Sequence, residues 1–178
     1  MNTDLITMIG NLARSLSSVQ HLVSGMAYVI GFLLIFTALQ KYKSIADKRA
    51  NSSSHEKMFV PTAYLFGGSA LIFLPSIIDV ASNSAFGVGN ILQYSKFNPF
   101  DIVSSMKWIV RTAGLIWFIR GCILLVHASE PGVQEGPKGL TFLVAGILAM
   151  NFDNTVYYFT WIMNQILSYT LKTPANPG

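Results

Sequence analysis

The sequence predicts an all-α membrane protein with about four transmembrane helices, preceded by an N-terminal amphipathic helix at the membrane surface. Three properties of the 178-residue chain support this class: 52% of its residues are hydrophobic, 11% are charged, and the mean hydropathy is +0.48. Soluble domains carry about 25% charged residues, so this chain has less than half the usual charge. A single cysteine excludes a disulfide scaffold. A net charge of +4, spread along the chain, does not indicate direct sequence-specific binding of nucleic acid.

The first helix is expected over residues 4–18. Four apolar residues recur there at the spacing of one helix face: Leu5, Ile9, Leu12 and Leu16. A narrow apolar face on a polar helix is typical of a helix lying in the plane of the membrane interface. A soluble helix packed on a partner is the alternative interpretation.

Four longer apolar blocks follow, and we expect each to cross the membrane as a helix: residues 20–40, 59–79, 106–127 and 139–169. A crossing needs about 20 apolar residues. As one helix the last block would be about 45 Å long, so it either continues beyond the membrane or bends at residues 151–154. Together the blocks form a single helical membrane domain over residues 1–178.

The segment between the first two crossings sets the expected topology. Residues 40–58 contain five of the twelve basic residues: Lys41, Lys43, Lys48, Arg49 and Lys57. Short loops rich in Lys and Arg remain in the cytoplasm, so an even number of crossings places both termini on the opposite side. Small residues within the crossings indicate where helix backbones approach closely, namely Gly67, Gly68, Gly114, Gly121 and Gly146.

Several charged residues fall inside the predicted crossings, where each costs about 2.5–3.5 kcal/mol at a helix centre. Measured from the turn at 127–139, Arg111 lies about 24 Å deep and Asp153 about 21 Å deep, whereas Arg120 is only about 10 Å deep. The shared depth predicts a polar layer near the outer surface: Asp79, Lys107, Arg111, Asn151, Asp153 and Asn154. Such a layer would form subunit contacts or line a water-filled path. Alternatively, the basic side chains simply reach the headgroups.

Arg120 lies nine residues after Arg111 and therefore about 180° around the same helix. We expect it either to reach the nearer headgroups or to contact another subunit. The three histidines show no metal-ligand spacing, and no serine lies in a nucleophile-elbow motif. The sequence therefore predicts no enzyme, no cofactor and no metal site. A small-solute transporter or pore and a pilin-like subunit remain alternatives, although the two halves of the chain show no visible residue similarity.

The segment Gly139–Asn154, GLTFLVAGILAMNFDN, follows a Pro/Gly turn. It resembles the last hydrophobic segment of small inner-membrane proteins of type IVB (Dot/Icm) secretion and related conjugation systems, in the IcmC/DotE, DotV and TraQ group. The preceding Arg120-Gly121 helix and the chain length fit the same group. The resemblance implies a non-enzymatic subunit of the bacterial inner membrane. Its partners would be the lipid bilayer and other subunits of the apparatus, in a homo- or hetero-oligomer that moves effector proteins or protein–DNA.

Overall fold

The computed structural model describes residues 2–51, 58–87 and 102–172, and all regular secondary structure within them is helical. The helices are α1 (Asn2–Asn51), α2 (Phe59–Ile72), α3 (Leu74–Phe86), α4 (Ile102–His127), α5 (Gly136–Met150) and α6 (Phe152–Lys172). Two segments, Thr7–Lys48 and Ile102–His127, are each long and apolar enough to cross a bilayer, and two bent helix pairs raise the possible crossings to four. The predicted all-α membrane class is confirmed.

The expected break after residue 18 does not exist. The predicted surface helix 4–18, the crossing 20–40 and the first part of the loop 40–58 form one helix of 50 residues, which is about 75 Å long. The junction at residues 17–21 contains neither glycine nor proline, so nothing interrupts the hydrogen bonds there. Residues 40–51 are rich in Lys, Ala and Arg, which favour helices. Residues 52–57 lie outside the described part.

The second crossing, expected over 59–79, consists of two helices. α2 and α3 meet at Phe73 with a bend of 93°. Pro75 lies in the first turn of α3 and has no backbone N–H to extend α2, while its ring disfavours a straight helix through Phe73. Part of the connection expected over 80–106 is helical, since α3 continues to Phe86 and α4 begins at Ile102. Residues 88–101 lie outside the described part.

The third and fourth crossings agree with two of the sequence expectations. α4 covers the predicted 106–127 and begins four residues earlier. The long block 139–169 bends by 96° between α5 and α6. Of the two alternatives for this block, the bent helix is therefore confirmed. The break is at Asn151, the first of the polar residues that interrupt the block. Its side-chain amide donates a hydrogen bond to the Ile147 carbonyl oxygen at 3.0 Å, in competition with the helical backbone.

The six helices form two similar hairpins, one of α1 with α2 and α3, the other of α4 with α5 and α6. In each, a long helix is followed by a helix of 14 or 15 residues, which bends by 93° or 96° into the next. A glycine packed on the long helix lies five residues before each break, at Gly68 and Gly146. An aromatic ring one turn earlier has a cation over it, with Lys41 4.8 Å from Tyr64 and Arg120 4.9 Å from Phe142.

Close contacts between helix backbones hold each hairpin together. A Cβ atom on Gly31 would lie 2.7 Å from the Gly68 carbonyl oxygen, and one on Gly121 would lie 2.6 Å from the Leu143 nitrogen. A Cβ on Gly67 would meet the Val126 side chain, so the first hairpin also packs on the second. Between them lies a core of buried apolar side chains that includes Leu34, Leu71, Leu74, Leu115, Phe118 and Cys122. The predicted small residues therefore lie at helix contacts.

Candidate functional site

Polar side chains meet at the end of the bundle where α2 and α5 bend. The Asp153 carboxylate, in the first turn of α6, forms two ion pairs. Its Oδ1 atom lies 2.6 Å from the Lys107 ammonium nitrogen, and its Oδ2 atom lies 3.3 Å from a guanidinium nitrogen of Arg111. Lys107 and Arg111 are one turn apart on α4, so both reach the same carboxylate. Two cations share one anion, which leaves a net charge of about +1. We call Lys107, Arg111 and Asp153 the bend-end cluster.

A second polar contact lies beside this cluster and connects the hairpins. The Asn151 amide donates a hydrogen bond to the Ser82 hydroxyl at 2.5 Å, and both residues are buried. On the surface, the Tyr158 hydroxyl donates to the Phe86 carbonyl oxygen at 3.5 Å, and the two rings are 5.7 Å apart. α3 and α6 are thus fixed to each other after their bends.

The predicted polar layer is only partly brought together. Lys107, Arg111 and Asp153 form the bend-end cluster, and Asn151 bonds to Ser82 instead of a charge. Asp79 lies on α3, and within residues 2–51, 58–87 and 102–172 no ion pair joins it to the cluster. Asn154 is exposed on α6.

Arg120 does not face the bend-end cluster. Its side chain is exposed, and its guanidinium lies 4.9 Å from the centre of the Phe142 ring. A cation over an aromatic face is attracted by the ring quadrupole, by about 0.5–1 kcal/mol at an exposed site. The stacking leaves the charge accessible from outside the bundle.

A second group of polar side chains lies at the opposite end of the bundle, where α4 turns into α5. Glu130 accepts two hydrogen bonds on the same oxygen, from the Lys41 ammonium at 3.1 Å and from the Tyr64 hydroxyl at 2.5 Å. The His127 ring centre is 6.3 Å from that of Tyr64. We call Lys41, Tyr64, His127 and Glu130 the turn-end cluster; it joins α1, α2 and the α4–α5 turn.

The charged form of Glu130 is the one that this cluster stabilises. Hydrogen bonds from Tyr64 and then from Lys41 lower the pKa of Glu130 below its ordinary value of 4.5. The Glu130 side chain is 34% exposed, so solvent screens the charges and the contribution to stability is small. The ion pair fixes the relative positions of α1 and the α4–α5 turn more than it adds energy.

The turn-end cluster is not predicted by the sequence. The basic segment predicts only a topological role for Lys41, and no pattern singles out Tyr64 or Glu130. A tyrosine in an apolar crossing requires a partner for its hydroxyl group, and this signal could have indicated Tyr64. Its partner could not be identified, because Glu130 is 66 residues further along the chain. Of the other topology residues, Lys43 and Lys48 are exposed on α1, Arg49 lies near its end, and Lys57 lies outside the described residues.

α6 leaves the bundle and exposes nearly all of its side chains. One face is apolar, with Phe152, Val156, Phe159, Met163 and Ile166, and the other contains Asn154, Tyr157, Trp161, Asn164, Gln165 and Ser168. An amphipathic helix with aromatic residues at its polar boundary is typical of the membrane interface. α6 thus also has the amphipathic pattern that is expected of residues 4–18.

No known protein family, curated protein or solved structure matches this chain. Among the described residues, no three His, Cys, Asp or Glu side chains come together where a metal ion could be held.

Proposed function

We propose that this protein is a non-enzymatic subunit of a type IVB secretion or conjugation apparatus in a bacterial inner membrane. It contributes to assembly of the channel through which effector proteins or protein–DNA pass, and its partners are other membrane subunits. The resemblance of residues 139–154 supports the type of apparatus. The observation that carries the structural role is the use of charged side chains: Asp153 and Glu130 each join different helices.

The polar groups are used to fix helix positions. Asp153 holds the start of α6 against α4, and Glu130 holds the α4–α5 turn against α1 and α2. A protein whose charges lock its own helices is suited to presenting a constant surface to neighbours. Arg120 is the exception, since its exposed charge within a crossing would be costly without a headgroup or a partner acid.

The same arrangement supports a topology with the turn end in the cytoplasm. Lys41, Lys43 and Lys48 lie at that end of α1, and basic residues remain on the cytoplasmic side. α1 then begins on the periplasmic side, and α3 and α6 lie along the periplasmic interface. Both termini are periplasmic in this topology.

Recovery of partners from native membranes tests the proposal. The tagged chain is extracted in mild detergent and its co-purifying proteins are identified. In the proposed complex Arg120 faces an acidic residue of a neighbouring subunit. We expect several larger inner-membrane proteins with the unaltered chain and at least tenfold lower recovery with Arg120→Gln, because that acidic residue would then be buried without its counterion, at a cost of about 3–5 kcal/mol. The matched control is Lys138→Gln, an exposed residue at the start of α5. Recovery of the chain without other inner-membrane proteins, from the unaltered protein as well as from Lys138→Gln, would contradict the proposal.

A small-solute transporter is the second candidate, and the repeated bent hairpins favour it. Internal repeats and interrupted helices are typical of secondary transporters. Passage of labelled small solutes into liposomes that contain only this protein would support this candidate. Absence of passage, together with recovered partner subunits, would support the first.

A further inference from the structure

The bend-end cluster has one more positive than negative charge. Lys107 and Arg111 both pair with Asp153, and among the described residues this carboxylate is the only acidic group that forms an ion pair with either cation. The helix ends add little to this balance, because the negative end of α5 and the positive end of α6 meet at Asn151 and offset each other. The excess charge therefore lies on the two basic side chains.

The same cluster has more hydrogen-bond donors than acceptors. An ammonium group has three donors and a guanidinium group has five, whereas Asp153 accepts one contact from each, at 2.6 Å from Lys107 and 3.3 Å from Arg111. The Arg111 Nε atom is buried and has no acceptor within the described part of the chain. Its burial shows that the Arg111 stem is packed rather than extended into solvent. The two cations are therefore held in place with donors to spare.

The turn-end cluster differs from the bend-end cluster in its charge balance. There the Lys41 ammonium pairs with Glu130 at 3.1 Å, one cation with one anion, and the Tyr64 hydroxyl donates to the same carboxylate. Both clusters use a carboxylate to join helices. Of the two, only the bend-end cluster has a cation whose charge its own carboxylate does not neutralise.

The bend-end cluster lies where lipid headgroups are expected. Asp153 is in the first turn of α6, the amphipathic helix whose aromatic residues, including Tyr157 and Trp161, are typical of the membrane interface. The side chains of Lys107, Arg111 and Asp153 are 33%, 24% and 47% exposed, so a group outside the bundle can reach them. The phosphate groups of lipids lie in this interface.

The pairing with Asp153 makes this a formed site rather than two independent side chains. Basic residues near a helix end extend individually toward any headgroup, but Lys107 and Arg111 are one turn apart on α4, and Asp153 holds both at one point. A phosphate group accepts charge-assisted hydrogen bonds on several oxygens, and two cations fixed side by side match it. The fixed pair therefore favours one bound headgroup over diffuse contact with many.

We propose that the bend-end cluster binds the phosphate group of one phospholipid that has a net negative charge. The Arg111 guanidinium donates hydrogen bonds to the phosphate oxygens, the Lys107 ammonium supplies a point charge, and Asp153 positions both. A zwitterionic phospholipid brings a cation of its own to the site, so it gains less from the excess positive charge. This inference depends neither on the secretion role nor on the direction in which the chain inserts.

Titration of the purified protein with single lipids tests the site. The delipidated protein in a nonionic detergent receives phosphatidylglycerol or phosphatidylcholine with the same acyl chains, and bound lipid is counted by native mass spectrometry. We expect one phosphatidylglycerol molecule to bind at least fivefold more tightly than phosphatidylcholine, and Lys107→Gln or Arg111→Gln to weaken its binding about fivefold each. The matched control is Lys138→Gln, which removes the same charge from an exposed residue at the opposite end of the bundle and should leave this affinity unchanged.

Asp153→Asn separates lipid binding from a purely structural role of the cluster. Its amide still accepts a hydrogen bond, and both positive charges are then without an anion, so phosphatidylglycerol should bind at least as tightly as it does to the unaltered protein, although the unfolding temperature falls. A loss of binding as large as that in Lys107→Gln would overturn the proposal.

Two further outcomes would also overturn it. Equal binding of the two lipids by the unaltered protein would leave an acidic residue of a neighbouring subunit as the anion that the cluster faces. Displacement of bound phosphatidylglycerol by inorganic phosphate at millimolar concentration would assign the cluster to a free phosphate ion instead of a lipid.

Discussion

Substituting Gly146 with alanine tests how tightly α4 and α5 are packed. A Cβ atom there would lie 2.7 Å from the Phe118 nitrogen and 2.8 Å from the Gly114 carbonyl oxygen. Both distances are shorter than ordinary contact by about 0.6–0.7 Å, given a lower limit of 3.4 Å. Both neighbours are backbone atoms, so no side chain can rotate away and the two helices must separate.

Two opposing effects determine how much Gly146→Ala changes the free energy of unfolding. Replacing glycine by alanine within a helix favours the helix by about 1 kcal/mol, and overpacking a tight contact costs about 1–3 kcal/mol. Gly25→Ala has the same helix effect and no overpacking, because nothing lies within 4 Å of its Cβ. The difference between the two variants therefore isolates the packing effect, and we expect Gly146→Ala to be less stable than Gly25→Ala by about 1–3 kcal/mol.

The assay is unfolding by a denaturing detergent, followed by circular dichroism at low protein concentration, where the chains are separate. The free energy of unfolding is compared between the two variants and the unaltered protein. Equal stability of Gly146→Ala and Gly25→Ala would refute the proposed contact between the α4 and α5 backbones.

Three further predictions follow from the polar contacts. Asp153→Asn should lower the free energy of unfolding by about 1 kcal/mol, because two partly exposed cations, Lys107 and Arg111, lose their anion. Asp79→Asn should lower it less, and equal losses would contradict the bend-end cluster. Asn151→Ala should lower the free energy of unfolding by about 1–3 kcal/mol, because the buried Ser82 hydroxyl loses its hydrogen-bond donor. A loss below about 0.5 kcal/mol would refute that hydrogen bond. Since its folded pKa is lowered, Glu130 stabilises the protein above its ordinary pKa of 4.5 and this stabilisation is lost as the pH falls through the folded value. In Glu130→Gln the unfolding temperature should therefore fall less as the pH is lowered than it does in the unaltered protein. The matched variant Glu135→Gln should show the same fall as the unaltered protein.

The fold class and the α4 helix could be predicted because they depend on local composition and apolar length. The sharp bend at Phe73 could be only partly predicted, since Pro75 indicates an interruption but not its angle. The continuous α1 was missed because the change from polar to apolar residues after residue 21 was interpreted as a break. Helix continuity depends on the backbone, and the sequence contains no breaker there.

The contact of Arg111 with Asp153 could be anticipated because depth along two neighbouring helices follows from residue counts. The same counting placed Asp79 in that layer and missed the bend that redirects α3. Neither Tyr64 with Glu130 nor Asn151 with Ser82 could be found this way, because these contacts depend on how the two hairpins pack side by side. Packing between segments 66 or 69 residues apart leaves no trace in periodicity or composition.

The repetition of the bent hairpin has a consequence for how the chain enters a bilayer. A hairpin that crosses the bilayer twice ends on the side of the membrane where it began. A second hairpin of the same kind therefore inserts with the same orientation. The later turn, at residues 127–139, contains two carboxylates and a single lysine, Lys138, so its own orienting signal is weak. Its direction would be inherited from the lysine-rich segment of the earlier unit.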